Sequence, residues 1–107
     1  MQIHNIKNFT AGWFIGNFEP SIFQNKDFEV CVKTDPAGHM VPPHYQKTAT
    51  EYNYIIRGKV LFDNKILETG DIFVVEPGEW FETKIIEETE LLVIKTPGVN
   101  ADDKVLL

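Results

Sequence analysis

The sequence predicts an all-β domain built as a sandwich or a barrel, and three observations favour it. Short runs rich in Val, Ile, Phe and Tyr recur along the 107 residues, and Gly, Pro, Asn or Asp separates them. Apolar residues do not recur with helical periodicity over any long segment. The length and the 43% hydrophobic content suit one compact core, so we expect a single domain over residues 1–107.

The apolar runs also predict where the strands lie. In FEVCVK, residues 28 to 33, the even-numbered residues are apolar and share one face, while the odd-numbered residues share the other. This alternation is typical of a half-buried strand. Strands are predicted near residues 12 to 18, 28 to 34, 43 to 47, 51 to 57, 59 to 62, 65 to 67, 72 to 75, 80 to 85 and 90 to 96.

Two tight turns are predicted between these strands. Asp63 and Asn64 tolerate left-handed backbone and stand between two apolar runs, as in a short hairpin. In Pro77-Gly78, proline sets φ at the first central position and glycine accepts a positive φ at the second. After residue 96, the segment 97 to 103 is polar and turn-rich, so we expect it to end the core and leave a short tail.

Charge and composition exclude several classes of partner. The formal net charge is -6, and such a surface repels the phosphates of nucleic acid and of anionic lipid. Nowhere is there an apolar run long enough to span a bilayer, nor a signal-peptide core. The single cysteine, Cys31, cannot form an internal disulfide. We therefore expect a cytoplasmic protein that binds neither nucleic acid nor membrane.

Two segments carry a recognisable pattern. In GHMVPPHYQKTATEYNYIIRG, residues 38 to 58, a histidine and a glutamate lie between two glycines. In GDIFVVEPGEWFETKI, residues 70 to 85, a Pro-Gly turn precedes two aromatic residues. The spacing resembles the two motifs of the cupins. The matching positions are Gly38, His44, Glu51 and Gly58 in the first motif and Gly70 and Gly78 in the second, with proline displaced to Pro77.

The resemblance implies a double-stranded β-helix barrel of the jelly-roll type. It also implies a divalent metal inside the barrel, held by three histidines and a glutamate. In this chain those four positions read His44, Gln46, Glu51 and Phe81. Gln46 replaces the second histidine of the first motif, and Phe81 replaces the histidine of the second.

The replaced ligands leave the metal question open. An amide oxygen is a weaker donor than imidazole to zinc or copper, and a phenyl ring cannot coordinate a metal. His44, Gln46 and Glu51 could still hold a weakly bound manganese, iron or zinc ion. Alternatively, they are the polar lining of a cavity without a metal. His39 lies in a loop beside Pro42 and Pro43 and is a further, weaker candidate ligand.

Alternation along residues 51 to 57 places Glu51, Asn53, Ile55 and Arg57 on one face. If Glu51 points inward, Asn53 joins it, and the buried carboxylate then needs a cation, a hydrogen-bond donor or a proton. His44 and Glu51 are therefore the candidate catalytic acid and base. The candidate ligand-binding residues are Asn53, Trp80 and Phe81.

The opposite face of this strand carries Tyr52, Tyr54 and Ile56. A single sheet leaves such an apolar face partly uncovered, and a second subunit commonly covers it. We therefore expect a homodimer.

Three functions remain open at this point. The first is a small-molecule-binding barrel for a polar metabolite, such as a sugar or a small organic acid, with a weak or absent metal site. The second is an enzyme, either a metal-dependent dioxygenase or isomerase that uses His44, Gln46 and Glu51, or a metal-free epimerase or isomerase. The third is a noncatalytic scaffold. The retained His44 and Glu51 argue against a scaffold, and the missing histidines argue against oxygen chemistry.

Overall fold

The structure, a computed structural model, describes residues 1–98 and 101–106. Its regular elements are strands and short 3₁₀ turns at Ile6–Asn8, Thr10–Gly12 and Ala101–Asp103. No helix in these two ranges has the length and apolar character needed to cross a membrane. The strands are β1 (Trp13–Ile15), β2 (Glu29–Asp35), β3 (Met40–Gln46), β4 (Thr50–Phe62), β5 (Lys65–Glu68), β6 (Ile72–Val75), β7 (Phe81–Thr96) and β8 (Lys104–Leu106).

Two long strands, β4 and β7, organise the fold. They pair antiparallel from Thr50↔Thr96 to Phe62↔Thr83 and are shared by two sheets. One sheet has the order β1-β2-β7-β4-β6, and the other has the order β8-β3-β7-β4-β5. The two sheets curl around a common interior, which confirms the all-β barrel that the sequence predicted.

Each of these long strands was predicted as two short ones. Gly58 separates the two predicted halves of β4, but the strand continues through it at φ 115°, with register shifts on either side. A Cβ at this position would lie 2.3 Å from Thr89 Oγ1, so only glycine allows the close approach of β7. The same irregularity turns Arg57 out of the predicted inward face and into a 3.0 Å ion pair with Glu88.

The prediction that residues 97 to 103 end the core was wrong. Residues 104–106 form β8, which pairs with β3 through His44↔Leu106, Tyr45↔Val105 and Gln46↔Lys104. Asp103 fixes this strand, because its Oδ2 accepts hydrogen bonds from the backbone N–H groups of Thr48 at 3.2 Å and Ala49 at 3.1 Å. Residues 104–106 are therefore part of the barrel wall. Val99, Asn100 and Leu107 lie outside the described residues.

Both predicted turns are confirmed. Asp63 takes φ 52° in the hairpin that joins Phe62 to Lys65. Gly78 takes φ 83°, and its N–H donates a 2.8 Å hydrogen bond to the carbonyl of Gln46. The second turn thus attaches the start of β7 to the end of β3.

The apolar core consists of Cys31, Ile55, Val60, Ile85, Leu91 and Val93. On β2 the side that faces inward is the one that carries Glu29, Cys31 and Lys33, whereas Val30 and Val32 face the outer side and are half-buried. Tyr52 and Tyr54 face outward, as predicted, and are 43% and 39% exposed. Burial of Cys31 raises the pKa of its thiol to about 12, so this cysteine stays protonated at neutral pH.

Candidate functional site

The barrel holds a partly open cavity of about 950 Å³. Its apolar part is formed by core residues, including Ile85, Leu91 and Val93, and by the rings of Trp13, Phe18, Phe73 and Phe81. The remaining wall is polar and comes from both sheets. The cavity is thus large enough for a small molecule and offers it both apolar and charged contacts.

A row of three charged residues crosses one sheet at the level of Glu51. In the strand register, Glu29 on β2 lies opposite Lys95 on β7, and Lys95 lies opposite Glu51 on β4. Residues opposite each other on antiparallel strands share a face, so these three side chains enter the cavity side by side. The Lys95 ammonium is 3.9 Å from Glu51 Oε1 and 5.2 Å from the ring centre of Trp13.

The buried carboxylate of Glu51 is held by two amides. Gln46 Nε2 donates to Glu51 Oε1 at 3.0 Å, and Asn53 Nδ2 donates to Glu51 Oε2 at 3.1 Å. The sequence required a cation, a hydrogen-bond donor or a proton for this carboxylate. The structure supplies the first two, since Lys95 also stands beside it. Each oxygen of Glu51 therefore already accepts a hydrogen bond within the protein.

Gln46 is only 3% exposed, and its Oε1 atom has no hydrogen-bond partner among the described residues. The amide cannot be reversed at low cost, because reversal would place Oε1 against the Glu51 carboxylate and lose the donated hydrogen bond. An unpartnered buried acceptor costs about 1–3 kcal/mol. Gln46 lines the cavity, so a donor group placed there would remove this cost.

The position of His44 follows from the two prolines before it. Pro42 and Pro43 have no N–H to donate, and the β3–β7 register shifts between Val41 and His44. His44 Nδ1 then lies 2.8 Å from the Pro42 carbonyl, which can only accept, so Nδ1 carries the proton. Nε2 is left as the lone-pair nitrogen of the neutral ring.

His44 is 4% exposed, and burial lowers the pKa of its imidazole. The hydrogen bond to Pro42 raises the pKa and the charges of Lys104 and Lys95 lower it further, with a net decrease. His44 is therefore neutral at physiological pH, with Nε2 able to accept a proton or a hydrogen bond.

Phe81 points into the barrel and is 6% exposed. Its ring centre lies 4.2 Å from that of His44 and 5.8 Å from that of Phe62. The ring fills space beside the imidazole and contributes no donor atom. Within the described residues, no group of three or more His, Cys, Asp or Glu side chains is arranged to hold a metal ion.

Besides Glu51, the cavity is lined by the carboxylates of Glu29, Asp35, Asp102 and Asp103. Burial raises the pKa of Glu29, although Lys95 opposes the increase. Burial also acts to raise the pKa of Asp103, but hydrogen bonds from Ala49 and Thr48 outweigh it, and the net pKa is lowered.

The structure brings five of the predicted site residues together around one cavity: His44, Gln46, Glu51, Asn53 and Phe81. Trp80 is not among the cavity residues. It is 47% exposed, and its ring lies 4.8 Å from that of Tyr45 on the outer side of the barrel. His39 is also exposed, in the turn before β3, and lines no part of the cavity.

Sequence reasoning missed many cavity residues, among them Trp13, Glu29, Lys95 and Lys104. Alternation did place Glu29 on one face of β2, but nothing in the sequence tells which face points inward. Lys95 and Lys104 reach the site through strand pairings that are distant in sequence.

Comparison with known proteins shows the fold. No protein-family model and no curated protein sequence matches the chain. A Klebsiella pneumoniae structure, described as an uncharacterized conserved protein with a double-stranded β-helix domain, matches 98% of this chain and 90% of its own, with TM-score 0.71 and 16% identity.

Two enzymes share the fold over part of their length. Oxalate decarboxylase of Bacillus subtilis, which has Mn(II) centres, matches 78% of this chain and 25% of its own, with TM-score 0.69 and 16% identity in one variant. The DMSP lyase DddQ of Ruegeria pomeroyi matches 83% and 47%, with TM-score 0.65 and 23% identity. At such identities the likeness shows the fold and not the reaction.

The architecture and these neighbours define a double-stranded β-helix barrel of the jelly-roll type. This is the fold that the two cupin-like motifs predicted.

Proposed function

We propose that this protein binds a small polar metabolite, such as a sugar or a small organic acid, inside the barrel and that its affinity for metal ions is weak. The observation that carries the proposal is the unpartnered Oε1 of Gln46, a buried acceptor on the wall of a 950 Å³ cavity. His44 Nε2 is a second acceptor on the same strand. A ligand hydroxyl or N–H group donates to such atoms and removes the cost of burying them.

The donor set does not fit a strong transition-metal site. The two Glu51 oxygens accept hydrogen bonds from Gln46 and Asn53, and the Lys95 ammonium lies 3.9 Å from one of them. Phe81 offers no lone pair at the fourth family position. A metal ion would have only one imidazole and one amide oxygen without competing partners, and it would enter next to a positive charge.

The test is a calorimetric titration with a panel of sugars and small organic acids, repeated on two variants. Gln46→Met keeps the approximate volume but removes the acceptor, and we expect at least about tenfold weaker binding of any panel member that binds. Gln24→Met makes the same change on an exposed loop and should bind normally. Absence of any binding in the panel, or equal binding by Gln46→Met, contradicts the proposal.

One observation favours an enzyme as the second candidate. His44 is neutral, oriented by Pro42 and adjacent to the cavity, as a general base requires. Such a base would remove a proton from a carbon next to the ligand carboxylate, as an isomerase or epimerase does. The measurement is exchange of the C5 proton of D-glucuronate in D₂O, followed by NMR. Exchange that His44→Gln abolishes would favour the enzyme, and no exchange would favour binding alone.

A further inference from the structure

Lys104 lies on the strand next to Gln46, the residue that carries the unpartnered amide oxygen. In the β3–β8 register Lys104 is the direct partner of Gln46, and both residues line the cavity. Directly opposed side chains on antiparallel strands project to the same face with Cβ atoms about 5 Å apart. A positive charge and a free acceptor are therefore neighbours on the cavity wall.

The other cavity lysines near Lys104 are already paired. Lys33 lies 3.4 Å from Asp35, and Lys95 lies 3.9 Å from Glu51. Lys104 has no ion-pair partner in the part of the chain that the structure describes. Desolvation lowers its pKa, and repulsion from Lys95 and Lys33 lowers it further, while Glu51 acts in the opposite direction.

Two of the other cavity carboxylates are held away from this ammonium. Asp103 directs its Oδ2 to the N–H groups of Thr48 and Ala49, and Glu29 lies opposite Lys95 on another sheet. An anionic group bound beside Lys104 would therefore gain an unshared cation and relieve the repulsion among the lysines.

The following inference rests on the proposed function. We propose that the ligand is a small hydroxylated anion, whose carboxylate or phosphate accepts a hydrogen bond from Lys104 and whose hydroxyl donates one to Gln46 Oε1. A carboxylate and a phosphate ester share this chemistry. The arrangement selects against a neutral sugar, which would leave Lys104 without a partner.

The experiment compares three probes on one sugar frame: D-glucose, D-glucuronate and D-glucose 6-phosphate. Binding is read from the fluorescence of Trp13, which lines the cavity, in a Trp80→Phe background that removes the other tryptophan. We expect at least one anion to bind about tenfold more tightly than glucose, since a hydrogen bond to a charged group is worth about 1.5–3 kcal/mol. The two anions distinguish a carboxylate from a phosphate ligand.

Lys104→Met should abolish the preference for the anion, and the variant should fold because Lys104 is exposed. Lys65→Met removes an equal charge from an exposed position outside the cavity and should keep the preference. If the three probes bind equally, or if Lys104→Met still prefers an anion to glucose, this inference is wrong. Either result is compatible with the proposed function. If no probe binds, the inference is wrong, and the wider titration panel decides the proposed function separately.

Discussion

Restoring the two missing histidines should convert the cavity into a metal site. Side chains at the four family positions already converge: the rings of His44 and Phe81 are 4.2 Å apart, and Gln46 Nε2 is 3.0 Å from Glu51 Oε1. In Gln46→His with Phe81→His, three imidazoles and a carboxylate would face one point. Such a set suits zinc, nickel or manganese.

The size of the effect follows from mass action. A metal at about 100 times its Kd, bound only by the folded state, adds about 2.7 kcal/mol to the free energy of unfolding. For a domain of about 100 residues this raises Tm by roughly 10 °C or more. Without metal the double variant should be less stable than the parent, because a polar ring replaces the buried Phe81.

The assay is thermal unfolding with and without zinc or nickel, followed by circular dichroism. Gln46→His alone should give a smaller increase in Tm, and Gln24→His, on an exposed loop, should give none. Adding Lys95→Met to the double variant should increase the metal effect further, because it removes the ammonium 3.9 Å from Glu51. An equally large increase in Tm of the unaltered protein, or no increase in a folded double variant, would show that the two replaced histidines do not limit metal binding.

Three further predictions concern other parts of the barrel. Asp103→Asn should lower the free energy of unfolding by about 1–2 kcal/mol at neutral pH in urea titrations. Because the pKa of Asp103 is lowered in the folded state, this difference in free energy of unfolding should persist above about pH 4 and become smaller as the pH falls through the folded pKa. A difference that grows on acidification would contradict the prediction. The pKa of His44 is also lowered in the folded state, so its neutral ring should add to the free energy of unfolding above about pH 6.5 and this contribution should be lost on acidification. In His44→Gln the free energy of unfolding should depend less on pH in this range. Finally, we propose a homodimer that forms through the outer face of Tyr52, Tyr54, Ile72 and Val74. In sedimentation experiments Val74→Lys should be a monomer, and Ile66→Lys should remain a dimer. An unaltered protein that sediments as a monomer would contradict this proposal.

Much of the fold could be predicted because its signals are local. Alternation, turn residues and the spacing of the two motifs indicated the strands, the hairpin at Asp63 and the turn at Gly78. The continuity of β4 could not be predicted, since a glycine in a strand usually marks a break, and here Gly58 instead admits Thr89 of a distant strand. β8 was missed because three residues carry too little periodicity to indicate a strand.

The candidate site was predictable only along single strands. Motif spacing placed His44, Gln46 and Glu51 together, and alternation added Asn53. The row of Glu29, Lys95 and Glu51 depends on the pairing of three strands, and the position of Lys104 depends on β8 closing the barrel. Such long-range pairings decide which charges surround Glu51, and local patterns do not contain them.

The most direct test is a crystal structure of protein purified without chelator or metal-affinity tag, with anomalous diffraction data to identify any metal. We predict that water or a small polar molecule is hydrogen-bonded to Gln46 Oε1 and His44 Nε2, with Lys95 still beside Glu51. A fully occupied transition metal at ligand distance from His44, Gln46 and Glu51 would contradict it and favour the metal-dependent enzyme.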